Sequence, residues 1–265
     1  MTYESVILRR EGERATLTFN RPDRRNALTH QMMAEIGLAL EEIAADAGIR
    51  VLILRGAGHA FSAGGDLDAM ANMPPPPAPG EEDPLYAPYR AYGDVLARLN
   101  GMTIPVVAVV AGAAAGGGFG MACCADVVIV HEAAKFGMPE PRSGFIPSQI
   151  IPYVVRRIGE GQARRLAVTG RTVDGREAVA LGIGQFCCAT AEDMEATLAR
   201  VLDDIHRCEP EAVAAVKGLV LACAEEGDEA VFDAAADALV RLLRRPDALA
   251  GIEAFLAKRR PPWAE

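Results

Sequence analysis

The sequence predicts an α/β protein, and three observations carry that expectation. Short apolar runs, Arg50 to Arg55 with its charged ends, Val106 to Val110 and Asp126 to Val130, have the composition of parallel strands buried on both faces. Before the first of them, Met32, Met33, Ile36, Leu40 and Ile43 recur at the spacing of an amphipathic helix. From Ser148 onward the pattern is mostly helical.

The chain opens with two strands, Val6-Ile7-Leu8 and Ala15 to Phe19, joined by the polar turn Glu11-Gly12-Glu13, which suits an antiparallel hairpin. A polar loop, Arg21 to Asn26, leads to Thr29, a hydroxyl residue placed to cap the helix of Met32 to Ile43. Strand, helix and strand in that order predict a right-handed crossover into Arg50 to Arg55. The loop Gly56 to Leu67 then leaves the carboxyl end of a strand, where open α/β sheets bind ligands. From Met70 to Tyr92 the composition turns proline-rich, with Pro74-Pro75-Pro76-Pro77, Pro79, Pro84 and Pro88. This excursion is either a lid or a surface insertion, with Tyr86, Tyr89 and Tyr92 on a helix flanking the pocket.

Val106 to Val110 feeds Ala115-Gly116-Gly117-Gly118-Phe119-Gly120, a passage nearly without side chains that opens a helix through Met121 to Cys124. A glycine inside regular structure costs roughly 0.5–1 kcal/mol relative to alanine. The run therefore serves either a tight strand-to-helix turn or a backbone that offers free N–H groups to negative charge. After Asp126 to Val130 come Phe136-Gly137-Met138-Pro139-Glu140 and Arg142 to Pro147, where the layered core ends. Helices are expected over Asp174 to Leu181, Ala191 to His206, Glu211 to Ala224, Glu229 to Leu243 and Ala248 to Lys258.

Over 265 residues, 27 Lys and Arg stand against 36 Asp and Glu, a net charge of −9 that argues against nucleic acid or an anionic membrane as partner. The six cysteines include the vicinal pairs Cys123-Cys124 and Cys187-Cys188, show no zinc spacing, and read as reduced packing residues. The four histidines are scattered, so no metal is expected. No apolar run approaches the roughly 20 residues needed to cross a bilayer. With no basic-then-apolar leader either, a soluble cytoplasmic protein is expected. Dinucleotide, nucleotide and serine-hydrolase chemistry lack their glycine-loop and nucleophile-elbow motifs.

Four stretches in order, Asn20 to Leu28 (NRPDRRNAL), Ala60 to Leu67 (AFSAGGDL), Gly116 to Gly120 (GGGFG) and Phe136 to Glu140 (FGMPE) with Gly144 and Pro147, resemble the enoyl-CoA hydratase/isomerase (crotonase) superfamily. The resemblance extends to Phe255 to Trp263. It implies a ββα spiral core over residues 1–200 and a C-terminal helical trimerisation region over residues 201–265, assembled as a homotrimer or a hexamer. The implied substrate is an acyl-CoA thioester, coenzyme A being part of the substrate, with no metal or redox cofactor. It also implies that the N–H groups of Gly65 and Gly117 hold the thioester oxygen as charge develops, a kind of contact that contributes about 3–4 kcal/mol per donor. Arg24, Arg25, Ala27, Ala63, Asp66 and Leu67 are implied at the coenzyme A side, and Phe255 and Lys258 can reach another subunit's ligand.

Hydratases of this superfamily usually carry two glutamates. One matches Glu140, whereas the position of the other holds Gly120, which has no side chain. Loss of that carboxylate predicts an enlarged pocket, open to a branched or carboxylated acyl group. Hydration with Glu140 alone, double-bond isomerisation with Glu140 alone, cleavage or decarboxylation driven by the oxyanion hole, and a catalytically silent acyl-CoA-binding homologue all remain. The segment Gly144 to Val155 resembles members that act on branched or glutaconyl-type enoyl-CoA, which favours hydration. Within it Ser148 and Gln149 are candidate polar pocket residues, with Ser148 as a helix cap the other reading.

Overall fold

The computed structural model describes residues 3–224 and 226–264. The chain begins with the hairpin of β1 (Val6–Glu11) and β2 (Arg14–Phe19), paired antiparallel from Val6 with Phe19 to Glu11 with Arg14. A 3-10 turn at Pro22–Arg24 and helix α1 (His30–Ala44) then lead to β3 (Val51–Gly56), which runs parallel to β2. Thr29 caps α1 as its position predicts, its hydroxyl accepting from the Met32 N–H at 3.2 Å.

From β3 onward the chain alternates between two sheets. Each pass lays one strand in a large sheet, turns, and lays a three-residue strand in a small one. These passes are β3 to β4 (Ala60–Ser62), β5 (Val106–Val110) to β6 (Ala113–Ala115), and β7 (Val127–His131) to β8 (Lys135–Gly137). Helices fill the returns: α2 (Leu67–Ala71) and α3 (Tyr86–Asn100) after β4, α4 (Gly117–Cys124) after β6, and α5 (Ile151–Thr169) after β8. Then β9 (Thr172–Asp174) joins the small sheet, and α6 (Gly175–Ala180) leads to β10 (Phe186–Cys188) in the large one. The large sheet has the order β1-β2-β3-β5-β7-β10 and the small one β4-β6-β8-β9. This alternation is the ββα spiral that the resemblance implies. Pattern reading leaves β4, β6 and β8 inside loops and does not mark β9 or β10, because three residues are too few to show a period.

The large sheet buries both faces. Leu52, Leu54, Val106, Ala108 and Val110 point into one core with residues of α1, α3 and α4. Their neighbours Val51, Ile53, Val107 and Val109 point into another, beneath Met194, Leu198, Val201 and Leu202 of α7 (Ala191–His206). The boundary between residues 200 and 201 falls inside α7, so that helix belongs to the core and the change of character comes at the turn after His206. Beyond it α8 (Pro210–Ala222), α9 (Asp228–Leu243) and α10 (Pro246–Leu256) leave Val216, Val220, Phe232, Leu239 and Phe255 exposed. Among the described residues no helix is long and apolar enough to cross a membrane.

Candidate active site

The turn from β6 into α4 is the centre of the site. Neighbouring strands β6 and β8 run in register, Ala115 beside Gly137, and the Gly116 N–H donates to the Gly137 carbonyl at 2.9 Å. That pairing sets Gly116 beside Glu140, which opens the 3-10 turn Glu140–Ser143 after β8. Gly116 holds φ 48° and ψ −120°, and a Cβ there would lie 2.3 Å from Glu140 Oε1. Only glycine admits the carboxylate so close to the backbone. The next residue, Gly117, begins α4, so its N–H belongs to a first turn that has no acceptor within the helix.

The second glycine arrives from β4. The Leu28 N–H donates to the Gly64 carbonyl at 2.7 Å, and the Asp66 N–H donates to the Leu28 carbonyl at 3.1 Å. Bracketed by this parallel bridge, Gly65 directs its own N–H away from Leu28. Gly64 packs on the other loop, its Cβ position 2.8 Å from the Ala115 carbonyl oxygen, and Leu28 Cδ1 lies 2.7 Å from the Cβ position of Gly117. Leu28 thus touches both backbone segments, one through hydrogen bonds and one through its side chain.

Asn26 supports this arrangement from below. It is fully buried at φ 55°, and its Nδ2 donates to the carbonyls of Ala57 and Ala60 at 2.9 and 2.7 Å. Its Oδ1 accepts from the Arg21 N–H at 2.8 Å. Ser62 Oγ donates to the Asn26 carbonyl at 2.8 Å and accepts from the Gly64 N–H at 3.2 Å. Reading by type places Asn26 in a polar loop and gives Ser62 no role. The available signal for Asn26 is its tolerance of the left-handed region just before an apolar pair.

The residues implied for coenzyme A assemble in part. The Ala63 N–H donates to the Arg25 carbonyl at 2.9 Å, Arg24 pairs with Asp68, and Arg21 pairs with Asp66 at 2.9 Å while donating to the Ala27 carbonyl. Arg24, Arg25, Ala27, Ala63, Asp66 and the exposed Leu67 therefore share one rim. The Asp66 side chain is engaged within the protein, accepting from the Ala69 N–H at 3.3 Å as the cap of α2. Burial opposes its charge, but the Arg21 hydrogen bond, the Ala69 N–H and the charges of Arg21 and Arg24 outweigh burial and hold the carboxyl below its usual range. Phe255, 82% exposed, lies elsewhere, in a groove with Leu242, Ile252, Leu256 and Trp263, and Lys258 follows just past α10.

Glu140 is the chemically unusual group. Its Oε2 is buried with no hydrogen-bond partner, and burial pushes its carboxyl above the ordinary value. Such a group exchanges protons closer to neutral pH than a solvated carboxyl does. Of the tyrosines on α3, Tyr92 reaches the glycines, its hydroxyl donating to the Gly117 carbonyl at 2.8 Å. Burial above all, then the charges of Cys124, Glu140 and Tyr153, raises this phenol well above its usual range and keeps it neutral. Tyr89 stacks edge-on with His30 at 5.5 Å instead, and Tyr86 is exposed.

Two expectations need correction. Gly120 does not enlarge the pocket: its Cβ position lies 2.1 Å from Ile150 Cγ2 and 2.5 Å from Ile150 Cβ, and Ile150 is 1% exposed. An isoleucine thirty residues away fills the space that a side chain at 120 would need. Ser148 does not cap α5 either, since Ile150 holds the cap position without a side-chain hydrogen bond. Gln149 packs over Gly93, beside Tyr92.

A two-sheet spiral whose glycine turn faces a carboxylate with one buried, unpartnered oxygen defines a crotonase-fold enzyme. Residues 10–265 match the family model described as Enoyl-CoA hydratase/isomerase. An enoyl-CoA hydratase/isomerase structure from Marinobacter aquaeolei is 41% identical with a TM-score of 0.92, covering 98% of this chain and 99% of its own. AtuE from Pseudomonas aeruginosa is 40% identical with a TM-score of 0.93, covering 99% and 100%. A crotonyl-CoA hydratase from Syntrophomonas wolfei is 33% identical over 270 residues, 98% of each chain. The chain belongs to the enoyl-CoA hydratase/isomerase family.

Proposed function

We propose that the protein adds water across the double bond of a 2-enoyl-CoA thioester. In this reading Glu140 removes a proton from water as the water oxygen bonds to the β-carbon. The displaced electron pair moves through the α-carbon to the thioester oxygen, held by the N–H groups of Gly65 and Gly117. The enolate then collapses as the α-carbon takes the proton back from Glu140. The observation that carries this reading is Glu140 Oε2, buried without a partner while Oε1 rests against Gly116. The Syntrophomonas relative, named a crotonyl-CoA hydratase, supports hydration.

Arg24 and Arg25 serve the coenzyme A phosphates at the rim, since guanidinium forks match phosphate oxygens. Phe255 and Lys258 serve a neighbouring copy's ligand in a trimer or hexamer, which the exposed apolar side chains of α8 to α10 support. Sedimentation showing only monomer overturns this part. The acyl group is of the branched or glutaconyl type, supported by the resemblance of Gly144 to Val155; Gly120, filled by Ile150, lends it no support.

Purified protein given 2-enoyl-CoA and 3-enoyl-CoA separately tests the reaction. Hydration that falls at least 10²-fold in Glu140→Gln is the expected result. Double-bond movement without hydration favours the isomerase reading, for which the lone carboxylate beside Gly116 speaks. Binding of acyl-CoA with neither activity marks a silent homologue.

A further inference from the structure

We propose that Tyr92 is a positioning residue for the oxyanion site, its hydroxyl fixing the Gly117 carbonyl so that the Gly117 N–H, on the peptide just before that carbonyl, keeps its place relative to that of Gly65. The inference rests on the hydration reading above and assigns a role that the family's glycine and glutamate motifs do not contain.

Gly117 is crowded where a side chain would stand. The Tyr92 hydroxyl donates to its carbonyl at 2.8 Å, and a Cβ on Gly117 would lie 2.6 Å from that same oxygen and 2.7 Å from Leu28 Cδ1. Glycine has the widest backbone freedom of any residue, and the Gly120 N–H on the Gly116 carbonyl at 3.0 Å holds only the peptide before Gly117, leaving the φ and ψ of Gly117 itself to be fixed from the other side. A donor in an oxyanion site is useful only if it is fixed where charge will develop. The Tyr92 hydrogen bond adds restraint from outside the loop, on the peptide after Gly117. Leu28 packs against the same point, and because its backbone brackets Gly65, the restraint is measured against the second donor. Tyr92 is itself anchored, since it follows two turns of α3, and Gly93 after it lies under the Gln149 side chain.

Tyr92→Phe removes one oxygen and keeps the ring, so the fold is retained and only the restraint is lost. The expected result is a kcat for hydration reduced about 10-fold, the size of one hydrogen bond acting on the transition state, with the Kd for a saturated acyl-CoA unchanged. The infrared carbonyl band of a bound thioester labelled with carbon-13, displaced by the oxyanion donors in the wild type, moves back toward its free position in the variant. Wild-type kcat and an unmoved band in Tyr92→Phe overturn the positioning role alone. A wild-type complex with no band displacement overturns the oxyanion reading along with it. Reduced kcat with a fully retained band displacement also overturns the proposal, because the hydroxyl then acts elsewhere than on the donor.

Discussion

At the scale of single residues, Glu140 carries the proposed chemistry and Gly120 the packing beside it. The carboxyl of Glu140 is raised by burial above its ordinary value of 4.5. With Glu140 as the proposed base, the acid limb of the kcat/KM profile for hydration is expected above pH 4.5, because the base must be ionised. Stability follows the opposite sign: a raised folded-state pKa favours the protonated form, and that contribution is lost as pH rises through the folded value. Glu140→Gln is accordingly expected to raise the Tm near neutral pH, with the gain vanishing below about pH 4.5. A gain that grows on acidification contradicts this account of Glu140.

Gly120 sets helix propensity against packing. Alanine at a helix interior is ordinarily favoured over glycine by about 1 kcal/mol. Here the added methyl would sit 2.1 Å from Ile150 Cγ2, and overpacking of a filled core costs about 1–3 kcal/mol. Packing wins, so Gly120→Ala is expected to destabilise the protein in urea denaturation, and in an Ile150→Ala background the same substitution is expected to cost less. A stabilised Gly120→Ala variant would show that Ile150 yields its place freely.

At the scale of elements, the segment between β2 and α1 matters more than its loop character implies. Asn26 makes three backbone hydrogen bonds, one with Arg21 of its own segment and two to Ala57 and Ala60, each worth roughly 0.5–1.5 kcal/mol. Asn26→Ala is expected to cost about 2–4 kcal/mol by chemical denaturation, since it leaves the Ala60 carbonyl without its donor. The same variant should lower kcat, because Ser62 links Asn26 to the backbone of Gly64, next to the proposed donor. Full activity in a destabilised Asn26→Ala protein would separate the loop from the site.

At the scale of the whole molecule, one arginine ties the C-terminal region to the core. Arg50, whose side chain is 11% exposed at the start of β3, donates to the carbonyls of His206 and Cys208 at 3.1 and 2.8 Å and to that of Trp263 at 2.8 Å. Trp263 in turn donates from Nε1 to the Arg207 carbonyl at 2.9 Å. The core strand thereby carries the turn between α7 and α8 together with the C-terminal segment. Arg50→Met is expected to cost about 2–4 kcal/mol. In hydrogen exchange, loss of protection concentrated at residues 207–264 while the large sheet keeps its own supports the joint, and uniform loss contradicts it.

By itself the sequence determined the features that are written in runs of neighbouring residues. These are the first hairpin, the buried strands at Val51, Val106 and Val127, the Thr29 cap, and the four motifs that carry Gly65, Gly117 and Glu140. Each depends on local pattern or residue type, which folding leaves unchanged. What only the tertiary structure decided concerns residues far apart in the chain: Ile150 against Gly120, Tyr92 on the Gly117 carbonyl, Leu28 between the two glycines, and α7 inside the core. The three-residue strands that carry the loops to the site belong here too, since pairing rather than pattern defines them. Gly120 shows the physical reason most directly, because a missing side chain makes a pocket only if no other residue takes its volume, and close packing lets any distant residue do so.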